Sequence, residues 1–288
     1  MLFEIVHRTD YRYSQPATEA CIEARLTLPT LPTQSIVQQS LEIVPTVGLS
    51  GYRDPFGNEV CFFSLAQRHE RLSLTLKARV RTHEVSAPTE ALGTSVAEAR
   101  QILSSQLTDI FEYLQPTPAV PTGGPATQWV KKYFRGGRPL GDAIFEACQA
   151  IHRKFAYRPG VTENSTPLAE VWRRREGVCQ DFAHILLSIL RTAGVPSRYV
   201  CGYIESGNPE DGGLLGSMAT HAWVEAMLPG LIWVGLDPTN DQWCGTRHVV
   251  VSHGRDYADA APVRGTFKGS GTQSLRAKVS MKRISEKP

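Results

Sequence analysis

The 288-residue sequence contains no His-Glu-x-x-His run, no Walker-type phosphate loop and no complete Gly-x-Gly-x-x-Gly fingerprint. Those absences remove the motif support for zinc hydrolysis and for nucleotide binding, and no cofactor or metal is expected. Its six cysteines (21, 61, 148, 179, 201 and 244) form no Cys-x-x-Cys pair, so neither a zinc knuckle nor a dithiol redox site is indicated. No stretch approaches the roughly 20 apolar residues of a membrane helix, and the first residues lack a signal-peptide layout. A cytoplasmic protein with no membrane partner is therefore expected, with thiols kept reduced. Charge of one sign is also scarce. The net charge is +3, so no nucleic-acid partner is implied. What remains is an ordinary globular composition, 41% hydrophobic and 20% charged, long enough for two domains.

The most informative stretch runs from Glu176 to Gly194. Phe182, Ile185, Leu186, Ile189, Leu190 and Ala193 recur with the 3.6-residue period of a buried helix. Gly194 and Pro196 supply its stop. Cys179 falls in or just before the first turn, where unpaired N–H groups and the helix dipole favour a thiolate. A buried, inert cysteine would satisfy the same position, so the partners decide. His184, five residues on, is rotated about 140° around the helix and reads as a packed histidine. Asp181 shares the first turn and reads as a capping or structural carboxylate.

Partners come from the segment 220–238, which reads as two strands about Pro229-Gly230. If the turn centres on residue 229, paired numbers sum to 458, which sets His221 opposite Asp237, give or take one residue. A carboxylate beside an imidazole orients the ring and stabilises its protonated form. A helix-start cysteine with a cross-strand His–Asp pair supplies the parts for nucleophilic acyl transfer. The N–H of Cys179 is a natural oxyanion donor. Spacing does not identify a second, and Tyr157 is one candidate.

The blocks Gly-Val-Cys179-Gln-Asp-Phe-Ala-His, Thr-His221-Ala-Trp-Val-Glu and Leu-Asp237-Pro-Thr-Asn closely resemble the bacterial transglutaminase-like cysteine peptidases. In that family the three blocks carry Cys, His and Asp in this order on a papain-like core. His7-x-Thr9-x-Tyr11-x-Tyr13 and Asp54-Pro-Phe-Gly57-Asn58 look like the β-rich domain that often precedes it. The resemblance implies an α+β fold: an N-terminal β-sandwich, then a transglutaminase-like core with the catalytic helix packed on an antiparallel sheet. It implies Cys179, His221 and Asp237 as catalytic residues acting on a peptide or protein substrate, or another amide. Hydrolysis is the expected outcome. Transfer to a lysine amine, giving a crosslinking protein-glutamine gamma-glutamyltransferase, and a non-catalytic binding or assembly module are the alternatives.

Three regions are expected. Residues 1–85 carry strand patterns such as Leu72 to Val80, apolar residues alternating with Ser73, Thr75, Lys77 and Arg79. His7 and His69 there read as structural. Residues 86–124 read as a helical linker, amphipathic from Ser95 to Leu114 and then rich in Pro and Gly. Residues 125–288 read as the catalytic domain. Within it, 206–216 is a loop expected to form one lip of the cleft, and Arg173 to Arg175 a basic surface turn. Arg264 to Pro288 holds seven Lys or Arg and one acid. Gly265 to Gly271 reads as turn, and the alternation of Leu275, Ala277, Val279 and Met281 favours a basic-faced strand over a nucleic-acid or membrane arm.

Overall fold

The computed structural model describes residues 1–205, 207, 214–216 and 219–285, with the side chain of Leu107 excepted. Residues 1–82 supply six strands: β1 (Leu2–Ala17), β2 (Glu19–Ala24), β3 (Gln34–Val44), β4 (Ser50–Arg53), β5 (Glu59–Leu65) and β6 (His69–Thr82). Alternation decides their packing. On β1, Phe3 and Ile5 point inward, and on β6 Leu72, Leu74, Leu76 and Val80 do, all fully buried.

The middle of the chain is helical: α1 (Thr89–Gly93), α2 (Val96–Ser104), α3 (Leu107–Ile110), α4 (Pro125–Tyr133) and α5 (Leu140–Lys154). The single helix expected over 95–114 is broken after Ser104, and Phe111, assigned to its apolar side, is 58% exposed. Nor is this region a mere linker. Ala91, Val96, Ala99 and Val120 are buried in the same cluster as α5.

The remaining elements build the core. They are β7 (Ala156–Tyr157), α6 (Leu168–Arg174), β8 (Glu176–Gly177), α7 (Cys179–Thr192), β9 (Ser197–Ile204), β10 (His221–Leu228), β11 (Ile232–Asp237), β12 (Gln242–Trp243), β13 (His248–Gly254) and α8 (Tyr257–Ala260). Five strands form an antiparallel sheet in the order β12-β11-β10-β9-β13. Helix α7 lies on it, buried continuously from Asp181 to Arg191, as an apolar helix at the centre of a domain should be.

Two further strands, β14 (Val263–Lys268) and β15 (Gln273–Arg283), revise the expected division of the chain. Strand β14 pairs with β2, and β15 runs antiparallel along β1 from Tyr13 to Phe3. The sandwich is therefore two four-stranded sheets, β15-β1-β6-β3 and β14-β2-β5-β4, closed by the C-terminal end of the chain. The core expected over 125–288 is therefore not one unit, since β14 and β15 belong to the sandwich. Gly265 is also within a strand rather than a turn. A Cβ there would lie 2.4 Å from the Cys21 carbonyl oxygen, so the two backbones meet only because it is glycine. Val279 and Met281 of β15 are buried as the alternation predicts, while Leu275 stays 53% exposed at the sheet edge.

Sandwich and core share one apolar cluster, to which the core sheet contributes Tyr203, Val249 and Val251. Two buried amides complete the junction. Gln34 donates to and accepts from the backbone of Val250 (2.9 and 2.7 Å), and Asn58 does the same with His253 (2.7 and 2.8 Å). Edge strand β13 thereby has its polar groups satisfied by side chains of the other domain.

Candidate active site

Cys179 is the first residue of α7 and is partly exposed. Its approach is fixed by the short parallel pairing of β7 and β8, with Tyr157 opposite Gly177. Asp181 caps the turn. Its Oδ2 accepts the Val178 N–H at 2.8 Å and the Thr162 hydroxyl at 2.7 Å. A Cβ on residue 177 would sit 2.6 Å from that oxygen, which explains the glycine. Burial raises the Asp181 carboxyl, and those two hydrogen bonds oppose the rise.

His221 opens β10 and Asp237 closes β11. The register differs from the expected one: Val224 faces Leu236 and Leu228 faces Ile232, so paired numbers sum to 460 rather than 458. The loop holds three residues, 229–231, with Gly230 (φ 86°) and Leu231 (φ 60°) left-handed, and its centre moves to 230. His221 and Asp237 are consequently diagonal neighbours rather than opposite ones. Their side chains still meet, with His221 Nε2 to Asp237 Oδ2 at 2.9 Å, both fully buried.

Asp237 is the most heavily hydrogen-bonded group of the site. Oδ1 accepts the N–H groups of Thr239 and Asn240 at 3.0 and 3.2 Å. Oδ2 accepts from His221, from Asn240 Nδ2 at 2.8 Å and from His248 Nε2 at 3.2 Å. Burial works against its charge, yet the two imidazoles outweigh burial and hold the carboxyl well below its usual range. The His221 ring shows the reverse balance. Burial lowers its pKa, but the Asp237 charge and hydrogen bond, with Cys179 adding to both, raise it to about 10. With Nε2 committed to Asp237, the buried Nδ1 has no full hydrogen bond and is the nitrogen left for the Cys179 thiol.

Packing holds the ring in place. Trp223, two residues on, lies over Gly202 of the neighbouring strand, where a Cβ would come within 2.1 Å of the indole. A Cβ on Gly216 would come within 2.8 Å of His221 Nδ1, so the chain passes close to that nitrogen. The expected lip at 206–216 otherwise lies largely outside the described residues. Of it, Leu215 is tied to Asn240 Oδ1 by its N–H at 2.8 Å.

Tyr157 is half-buried, its ring edge-on to Phe182. Burial, then the nearby Cys179 and Asp237, raise its hydroxyl to about 12, so it is a proton donor at neutral pH. His184 is packed, its Nε2 accepting the Tyr257 N–H at 3.2 Å. His7 bonds to the Tyr203 hydroxyl at 2.8 Å, and His69 to the Gln67 carbonyl. None of these three histidines joins the site. Sequence reasoning missed His248, which sits in an apolar strand pattern with nothing to tie it to Asp237, and Asn240, which reads as turn chemistry.

Residues 127–238 match the transglutaminase-like superfamily model, and residues 3–81 match the bacterial transglutaminase-like N-terminal region. An uncharacterized Mycobacterium leprae protein is 33% identical over 97% of this chain and 98% of its own length. The chain belongs to the transglutaminase-like superfamily. An uncharacterized Mycobacterium tuberculosis protein is 35% identical, covering 95% of this chain and 90% of that one. A crystal structure from Cytophaga hutchinsonii, provisionally assigned as a cysteine protease, superposes with TM-score 0.78 at 21% identity, over 100% of this chain and 93% of that one. It shares the fold of this superfamily member: a β-rich N-terminal region and a transglutaminase-like core. A Pseudomonas aeruginosa protein named protein-glutamine gamma-glutamyltransferase is 34% identical over 93 residues, 31% of this chain and 14% of its own length. No helix among the described residues of this family member is long and apolar enough to cross a membrane.

Proposed function

We propose that the protein is a cysteine peptidase or amidase acting through a thioester on Cys179. The carrying observation is that His221 has one nitrogen locked on Asp237 and the other, buried, left for the thiol. The Cys179 sulfur attacks the substrate carbonyl carbon, forming a C–S bond and an oxyanion. That oxyanion meets the Cys179 N–H, a helix-start donor without an intrahelical partner, and the Tyr157 hydroxyl is the candidate second donor. His221 passes its proton to the leaving nitrogen as the C–N bond breaks. Water then attacks the thioester, His221 takes up its proton, and the acid departs as the C–S bond breaks. Asp237 keeps His221 in the productive tautomer throughout.

A mixed peptide library should yield new termini that Cys179→Ala abolishes and that Asp237→Ala reduces to a trace, because members of such a unit fail together. The second reading, transamidation, draws on the partial match to the Pseudomonas protein. Under it, an added primary amine would enter glutamine side chains without chain cleavage. Amine incorporation with no cleavage would replace hydrolysis by crosslinking. If neither product forms and Cys179→Ala changes nothing, the protein is a binding module.

A further inference from the structure

The basic strand at the C-terminal end has a role that thioester chemistry does not use. Strand β15 lies beside β1, and β1 beside β6, so their outward residues form one solvent-facing surface. That face holds nine exposed Lys or Arg, two on β1, four on β6 and three on β15. Three carboxylates share it, Glu4, Asp10 and Glu42. Its net charge of +6 exceeds the +3 of the whole chain, so everything else together carries −3.

Arrangement matters as much as the total. Arg8 stands directly across from Lys278, and Arg12 directly across from Arg71. Directly opposed like charges destabilise a sheet, and an acid at either member would relieve each pair. The fold keeps an electrostatic cost that its own stability does not call for.

We propose that this outer face of the β15-β1-β6-β3 sheet is a docking surface for an acidic polypeptide segment. Carboxylates already bind here, Asp10 against Arg8 at 2.9 Å and Glu4 against Arg79 at 3.9 Å. Six of the nine cations are arginines, whose planar fork suits carboxylates. Outward positions along each strand repeat about every 6.8 Å, the same repeat that alternate side chains have in an extended peptide. A segment with acids at every second position therefore meets the cations in step. Stacking of nucleic-acid bases is not provided for, since no aromatic side chain lies on the face. Anchoring in a bilayer is not provided for either. The exposed apolar side chains of these strands are scattered, Val6, Val37 and Val44 with Leu275 at the edge, and no Trp or Phe joins them as in an interfacial anchor.

The test measures fluorescence anisotropy of a labelled peptide alternating Glu and Thr against the full chain. Duplex DNA and phosphatidylglycerol vesicles are compared at the same ionic strength. Saturable peptide binding that weakens with added salt is expected. Arg12→Glu combined with Lys278→Glu should weaken it roughly tenfold or more, because like charges brought together across an interface are costly. The same variant turns both like-charge pairs into opposite-charge pairs, so its melting temperature should hold or rise, and misfolding would not explain lost binding. Unchanged affinity in this variant overturns the proposal. So does tighter binding of DNA or vesicles than of the peptide, which would assign the face to phosphate.

Discussion

Acid should unfold this protein earlier than its carboxylates alone would require. His7 and His184 are buried, and burial lowers both to about 4 from 6.5, with Asp256 partly offsetting the effect at His184 and Arg191 adding to it. A depressed histidine is neutral in the fold while the unfolded chain takes up the proton. Between pH 6.5 and 4 the unfolded state therefore binds more protons, and stability falls as pH falls. Each shift spans about 2.5 units, worth about 3 kcal/mol per residue at the lower end. Together they approach the 5–15 kcal/mol total typical of a folded domain. His253 is lowered too, by burial and then Arg198 with Glu225 opposing, and adds to the same slope, while Asp181, raised by burial, opposes it at the lower end. His221, raised to about 10, is protonated in both states below about pH 6, and its stabilisation is lost as pH rises from about 6.5 toward 10, which opposes the histidine slope near pH 7. Asp237 and Glu225, both held low, act below about pH 4.5.

Urea unfolding followed by tryptophan fluorescence at pH 7, 6, 5 and 4.5 reads this directly. The slope should be about 1.4 kcal/mol per pH unit for each histidine. His184→Gln keeps an acceptor for the Tyr257 N–H but cannot titrate, so it should lose about 1.4 kcal/mol per pH unit of the slope. His7→Asn should remove a similar amount, and the slope left in the double variant belongs to His253. A flat stability profile from pH 6 to 5, or an unchanged slope in the double variant, would refute the reasoning.

Limited alkylation followed by peptide mapping should label Cys179 well ahead of the other five cysteines, since Cys148 and Cys201 are buried and Cys179 is the thiol beside His221; equal labelling of all six would count against the nucleophile assignment. His248→Ala removes one of two imidazole donors to Asp237 and should slow that alkylation and change its pH profile, with His248→Gln restoring part of the rate; an unaltered profile would make His248 purely structural. Gln34→Ala leaves the Val250 N–H and carbonyl unpaired in a buried junction and should cost about 2–4 kcal/mol in urea unfolding, whereas a loss below about 0.5 kcal/mol would mean water replaces the amide.

Local patterns were legible in the sequence where one residue's neighbours along the chain determine its place. Helix α7 declares itself because its buried face repeats every 3.6 residues and its stop is Gly-x-Pro. The long strands β1, β3 and β6 declare themselves by alternation. Short β2 and β4 do not, having too few residues to show a period. The meeting of His221 with Asp237 was legible through hairpin arithmetic, yet its register was not, because Leu231 extends the turn by adopting a left-handed conformation that aliphatic residues seldom take. Long-range relations left no trace at all. The return of β14 and β15 to the sandwich and the arrival of His248 at Asp237 are set by tertiary packing.

Those long-range relations join the two domains at the site. Strand β13 starts at His248, which donates to Asp237, continues through Val250, held by Gln34, and reaches His253, held by Asn58. Asn58 is itself placed by the Asp54 turn, whose Oδ1 accepts the Asn58 N–H at 3.0 Å. The turn at 54–58 and the His–Asp pair, far apart in sequence, are thus two ends of one run of hydrogen-bonded backbone. Neither His7 nor His69 of the sandwich reaches the candidate site, both being engaged elsewhere. The sandwich fixes instead the edge strand that carries the second imidazole. An edge strand left to water would be free to shift in register, and a one-residue slip would turn His248 away from Asp237. Buried amide clamps oppose such a slip more specifically than apolar contact does, because each pairs with one residue's N–H and carbonyl together. On this view the β-rich domain supports the candidate site through backbone geometry, which gives a physical reason for the two domains to share one chain.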